Sequence, residues 1–182
     1  MGGNCNYAYL AGCFNASIVI NKRGAKMNYW VNRISHEFPT SGVMLRYGYL
    51  TVGWNDSNIQ LLEASNWGET HFKEQFHRTF PDLSNEDSLW RFLKEYEIGD
   101  IVIVPFPDEH KDKFSIVKIQ GDAEAAKITD LVDIGFVRKV ECLKADIPRK
   151  ALTENMDSNL FACPKTTYGI SDYADAIEAL LR

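Results

Sequence analysis

The sequence predicts an α+β protein: a small, strongly bent β-barrel with about three helices on its rim. Three observations predict it. Ile98–Asp122 reads as a hairpin, with Gly99-Asp100 before the apolar run Ile101–Pro105, then a charged loop, then Phe114–Ile119 closing on Gly121-Asp122. Glycine and aspartate are turn formers, and a hairpin bounded by them at both ends suits a sharply curved sheet. Large aromatics, in Tyr29-Trp30 and at Trp54, fall where strands begin or end, and strand ends are where ligands are met. Helical periodicity is confined to a middle block and to the last residues, so the pattern does not alternate β/α.

In chain order, residues 1–26 show no period and read as an extension, leaving 27–182 as the barrel domain. Tyr29–Ile34 predicts a strand. His36–Gly42, with Pro39 and Gly42 as punctuation, predicts a loop. Leu45–Trp54 alternates, with Leu50, Val52 and Trp54 on one face and Tyr47, Tyr49 and Thr51 on the other, which predicts a half-buried strand. Ser57 and Gln60 have capping-box spacing for a short helix through Leu62. Phe72, Phe76 and Phe80 fall at i, i+4 and i+8 and give a helix an aromatic stripe that Pro81 ends; that stripe is core. Ser84 caps a second helix with Glu86 and Asp87 in its first turn, favourable to the dipole, and Leu89, Trp90, Phe92, Leu93 and Tyr96 are its inner face. Phe136–Lys144 predicts a strand broken at Ile147-Pro148, Ala151–Asn155 a helical turn, and Ser171 the cap of a last helix with an apolar stripe from Tyr173 to Leu181.

Composition bounds what such a chain does. It has 182 residues, 45% hydrophobic and 25% charged, enough to bury a core in one domain. No apolar run approaches the roughly 18 residues of a membrane span, and no signal peptide is read at the N-terminus. Asn6 stands where myristoylation wants Ser or Thr, and the glycosylation sequons at Asn15 and Asn55 are taken as chance, which places the protein in the cytoplasm. Cys5, Cys13, Cys142 and Cys163 lack metal-ligand spacing and read as buried thiols. The net charge of −5 argues against bulk adhesion to nucleic acid. Yet Lys22, Arg23, Lys26, Arg33 and Arg46 meet only Glu37 among acids in their stretch. A weakly basic face on an acidic body is one reading of this; a solvated charge run is the plainer one.

Catalytic motifs are absent: no phosphate-binding glycine loop, no Gly-x-Ser-x-Gly, no His-Glu-x-x-His. Pro81-Asp82 with Glu109-His110-Lys111 mimics a nuclease metal site, but the carboxylates fall on a helix junction and a hairpin tip, not on adjacent strand positions facing one Mg²⁺. His71 and His77, six apart on one helix, cannot chelate together and should face solvent. No catalytic residue, metal or cofactor is therefore expected. The aromatics are the better lead. Trp30, Tyr47, Tyr49 and Trp54, on what read as neighbouring strands, would converge on one barrel mouth and stack on a flat group. Stacking a base on an aromatic ring is worth about 1–3 kcal/mol, which offsets much of the cost of flipping it out. Asp56 would accept a hydrogen bond from an exocyclic amine, and Arg33 and Arg46 would hold phosphates. The alternative is that Trp30 and Trp54 simply fill the barrel.

With these residues laid out, the chain resembles the N-terminal specificity domain of bacterial Mrr-type, modification-dependent restriction endonucleases, of the EVE/PUA-like superfamily related to YTH readers. The resemblance rests on Trp30-Val31-Asn32-Arg33, on Thr51-Val52-Gly53-Trp54-Asn55-Asp56, on Phe92-Leu93 with Ile98–Val102 and Val104-Pro105, and on Phe114, Ile116, Ile119 and Gly121-Asp122. Arg138–Glu141 and Ile147-Pro148-Arg149 look like its closing strand and following turn. It covers 27–182. It implies a PUA-like barrel that reads a modified base, in DNA before RNA, by flipping it into an aromatic cage for a restriction nuclease in bacterial defence. Trp30 and Trp54 match the aromatic positions, Arg33 the basic position and Asp56 the polar one. The chain departs from the pattern in lacking a nuclease domain, so cleavage would fall to a partner or to a part outside this chain, and in its acidity. A rival expectation is a structural or protein-interaction domain with a filled barrel and no nucleic-acid ligand.

Overall fold

The computed structural model describes residues 27–34, 38–55, 57–106, 112–127, 134–153, 160–161 and 163–182. The expected extension 1–26, Asp56, and Glu109, His110 and Lys111 of the nuclease-like pattern lie outside them.

The α+β class is what the chain adopts. Six strands, β1 (Tyr29–Asn32), β2 (Tyr49–Val52), β3 (Ile101–Pro105), β4 (Lys113–Ala125), β5 (Phe136–Pro148) and β6 (Thr167–Gly169), form one mixed sheet in the order β2-β5-β4-β3-β1-β6. Among the described strands only β1 and β3 run parallel, with Trp30 opposite Val102. The expected hairpin is the β3–β4 pair, Val102 facing Val117 and Val104 facing Ser115. Register shifts between Phe114 and Ala123 interrupt the β4–β5 ladder, and such bulges bend a strand and raise its twist. The bend brings the first and fifth strands of the order together: the buried Asn32 side chain donates from Nδ2 to the Thr51 carbonyl at 3.4 Å. A side chain, not a main-chain ladder, spans that seam.

Alternating residues feed two cores. Trp30, Val102, Val104, Val117, Ile119, Leu50 and Val52 face one side, under α2 (Asn58–Ser65), α3 (Glu69–Thr79) and α4 (Glu86–Trp90). Tyr29, Val31, Ile101, Ile103, Phe114 and Ile116 face the other, under α6 (Ala174–Leu181), with α5 (Lys150–Thr153) contributing Leu152. Because both faces are covered, β3 is buried at every position.

Several expectations are corrected. Leu45 and Arg46 are not strand. They end α1 (Phe38–Arg46), which occupies most of the expected loop, and β2 keeps only Tyr49–Val52. Pro39 stands in the first turn of α1, where its missing N–H costs nothing, so it does not break the helix. Gly48, at φ +83°, turns the chain out of it. Ser57 precedes α2 but does not cap it, since its backbone is left-handed (φ 60°) where a capping side chain needs an extended one, and α2 runs on to Ser65. Asn85, not Ser84, precedes α4, and Ile170, not Ser171, precedes the last helical segment. Pro148 does not break β5, because β2 pairs only with Phe136–Lys139 and leaves the Pro148 end an edge, where a missing donor is tolerated. Six α-helices, not three, are found among the described residues. The Phe72 and Phe76 stripe is core as expected, with Phe80 half-buried.

After α4 the chain makes a wide π-type turn, Arg91–Glu95. Arg138, 2% exposed on β5, holds it: Nε donates to Phe92 O at 2.7 Å, Nη2 to Leu93 O at 3.1 Å and Nη1 to Gly121 O at 3.0 Å. Burial lowers the pKa of this guanidinium, opposed by Asp122.

Candidate nucleic-acid interface

Trp54 stands just past the end of β2 with φ 62°. For a bulky residue the left-handed region is a real outlier, and such strain persists only where the surroundings fix it. Here Gly135 fixes it. A Cβ at Gly135 would overlap the carbonyl oxygens of Gly53 and Trp54, so only glycine lets the two segments approach this closely. Gly135 N donates to Val52 O at 3.0 Å. Asn58 Nδ2 donates to Gly135 O at 3.0 Å and Ala126 O at 3.1 Å, tying the start of α2 to the same place. The Trp54 indole is half-buried, edge-on to Phe76 with centroids 6.4 Å apart.

Trp30 is placed differently. Its Nε1–H donates to Asp100 Oδ2 at 2.8 Å, and its ring leans on Tyr96 at 5.1 Å. Asp100 is 2% exposed and also accepts from the main-chain N–H groups of Asn28 and Glu97, each at 3.0 Å. Trp30 is therefore orientated by a buried carboxylate, its one donor already used. Both indoles abut the same core. The strands that carry them are not ladder neighbours in the sheet; the Asn32 side chain bridges β1 and β2.

The remaining candidates divide into two places. Arg46, Tyr47 and Tyr49 stay together at the start of β2, an edge strand. Tyr47 is 78% exposed and Tyr49 39%. Arg46 is exposed, its Nε donating to Gly42 O within its own helix. Lys139, also exposed, stands opposite Tyr49 in the ladder. This is a small surface of two phenols between two cations. Arg33 lies apart: its Nη2 donates to Phe161 O. The Arg149 guanidinium covers the Phe161 ring at 4.8 Å, and burial followed by the Arg33 charge lowers its pKa.

Asp100, Asn32 and Gly135 were not singled out for a site by sequence reasoning. The Gly99-Asp100 turn signal marks the first and the Trp30–Arg33 stretch contains the second; nothing local marks Gly135. Cys142 is exposed and Cys163 half-buried, which corrects the expectation of buried thiols for both. Asp82 is exposed between α3 and α4, and His71 and His77 face solvent as expected. Among the described residues no group of three metal-ligating side chains gathers, and no helix is long and apolar enough to cross a membrane.

A protein-family model matches residues 31–170, from within β1 to the residue before the last helical segment. The chain belongs to that family, described as a domain of unknown function, DUF8426. The DUF8426 span includes the Trp54 loop, the tyrosine pair and Gly135, and starts one residue after Trp30. No curated protein matches the chain. Among solved structures it is similar to the YTH domain of Zygosaccharomyces rouxii MRB1 in complex with N6-methyladenosine RNA, at 12% identity over 91% of each chain with a TM-score of 0.44. It is also similar to protein Atu2648 from Agrobacterium tumefaciens, at 12% identity over 84% of this chain and 92% of that one, with a TM-score of 0.38.

Proposed function

We propose that this chain is a non-catalytic recognition module that reads a modified base in DNA, flipped onto Trp54, on behalf of a restriction nuclease carried elsewhere. In this reading residues 27–182 are one PUA-like domain in the cytoplasm. The observation that carries it is Trp54: a half-exposed indole, on a backbone whose strain is locked by Gly135, at the end of a strand. Backbone strain of this kind clusters at ligand clamps. Tyr47 and Tyr49, with Arg46 and Lys139 beside them, supply what a single strand needs next to a flipped base, π-faces and cations. The preference for DNA and the link to a nuclease rest on the resemblance to the Mrr-type specificity domain.

A panel of short oligonucleotides, each with one modified base, titrated at low and physiological salt, tests the reading. One modification should bind better than its unmodified parent. Trp54→Ala should remove about 1–3 kcal/mol of that binding, roughly 5- to 150-fold. Equal affinity for every oligonucleotide would overturn it.

A second reading, an interaction domain with a filled interior, is favoured by one observation: Trp30 spends its N–H on Asp100 and packs on Tyr96. Trp30→Ala separates the two. A fall in melting temperature alone supports the filled interior, and lost binding at unchanged stability supports a cage wall.

A further inference from the structure

We propose that the corner between α2 and α3, centred on Trp67, docks a basic segment of a partner protein. Trp67 is 80% exposed, on the turn that joins the two helices, with the His71 ring 6.3 Å away. Ile59, 59% exposed, lies two turns back on α2, and helical spacing places Glu63 and Asn66 on the same face. Tryptophan is the residue type most often found to anchor interfaces, and nothing in the folding of α2 or α3 calls for one here. The buried faces of those helices are Leu61, Ala64, Phe72 and Phe76.

Charge selects the occupant. Residues 57–100 carry nine acidic and four basic side chains, which is the whole of the chain's net charge of −5. Around Trp67 the exposed acids are Glu63, Glu69 and Glu95. Two of these acids already face a cation, Glu69 with Lys73 at 2.9 Å (itself 2.8 Å from Asp87) and Glu95 with Arg91 at 3.6 Å, and Lys94 donates to Asn66 Oδ1 at 3.0 Å, so Glu63 is the carboxylate that an incoming cation meets. Partial burial pushes the Glu95 carboxyl above its ordinary range, with Glu69 and Asp87 adding to the rise and Arg91 opposing it. A cation arriving at this corner is drawn by the acids and seated by the face of the indole, whereas a polyphosphate is repelled. Arginine suits it best, since its planar guanidinium stacks on a ring and still offers donors to carboxylates. The corner is the far end of α2, about 12 Å from the Trp54 loop, so the two sites are separate and this inference does not depend on the nucleic-acid reading.

The test uses the full chain and a labelled, short arginine-rich peptide, with a peptide carrying glutamate in place of arginine as control, read by fluorescence anisotropy at low and physiological salt. The arginine peptide should bind and the control should not. Trp67→Ala should weaken binding at least about tenfold, Trp67→Phe should retain most of it, and Glu63→Gln should weaken it at low salt. Glu141→Gln, on the sheet, should change nothing. The proposal is overturned if Trp67→Ala binds as well as the parent, or if Glu141→Gln weakens binding as much as Glu63→Gln does. It is equally overturned if Trp67 proves to hold a second copy of the chain in sedimentation, or to bind single-stranded DNA.

Discussion

Gly135 decides more than its size suggests. The strand end it occupies and the loop that carries Trp54 are in main-chain contact, and the missing side chain is what lets them be. Gly135→Ala forces one segment to shift, an overpacking cost of about 1–3 kcal/mol. The urea midpoint should fall accordingly, and oligonucleotide affinity with it, because the indole moves with its backbone. An unchanged midpoint would mean that the loop gives way freely and that the left-handed Trp54 is not held. Asp100 is a comparable case on the other indole. It read as a turn residue, and it is one, yet its buried carboxylate gathers four donors and orientates Trp30.

Among the elements, the π-type turn Arg91–Glu95 depends on a residue nearly fifty positions away. Arg138 reaches Phe92 O, Leu93 O and Gly121 O with three different nitrogens. A lysine keeps the charge but brings one nitrogen, which cannot span all three acceptors. Arg138→Lys should therefore destabilise the fold by about 2 kcal/mol or more, with buried carbonyls left unsatisfied, measurable by thermal unfolding; equal stability would show that water replaces the fork. This also explains how much of the fold was legible in the sequence. The β3–β4 hairpin was, because turn residues bound its apolar runs, and the Phe72–Phe76 stripe was, because a helical period reports one buried face. The helix over Phe38–Arg46 was not, because Pro39 and Gly42 look like breakers unless the helix is known to start at Phe38. The run of β5 to Pro148 was hidden similarly, since proline is harmless there only because β2 does not reach that end of β5. Of the candidate site, Trp54, Tyr47 and Tyr49 were legible as aromatics near strand ends. Gly135 and the Asn32 seam were not, because each acts on a segment distant in sequence.

At the scale of the whole molecule, the proposed nucleic-acid face carries few cations. Arg46 and Lys139 flank the exposed tyrosines. Two phosphate contacts release few counterions, so log K for a single strand should fall with log salt at a slope of about −1.4. A slope steeper than about −3 would place phosphates on other residues and move the interface. At the shallow slope, affinity comes mainly from ring stacking and survives salt that would strip a more basic protein from DNA.

The uneven placement of charge has a consequence for encounter. All of the net negative charge belongs to the stretch that forms α2, α3 and α4, while the rest of the chain is balanced. Near a polyanion such a body feels a torque before it feels contact. It turns α2, α3 and α4 away, like a compass needle, before any contact is made.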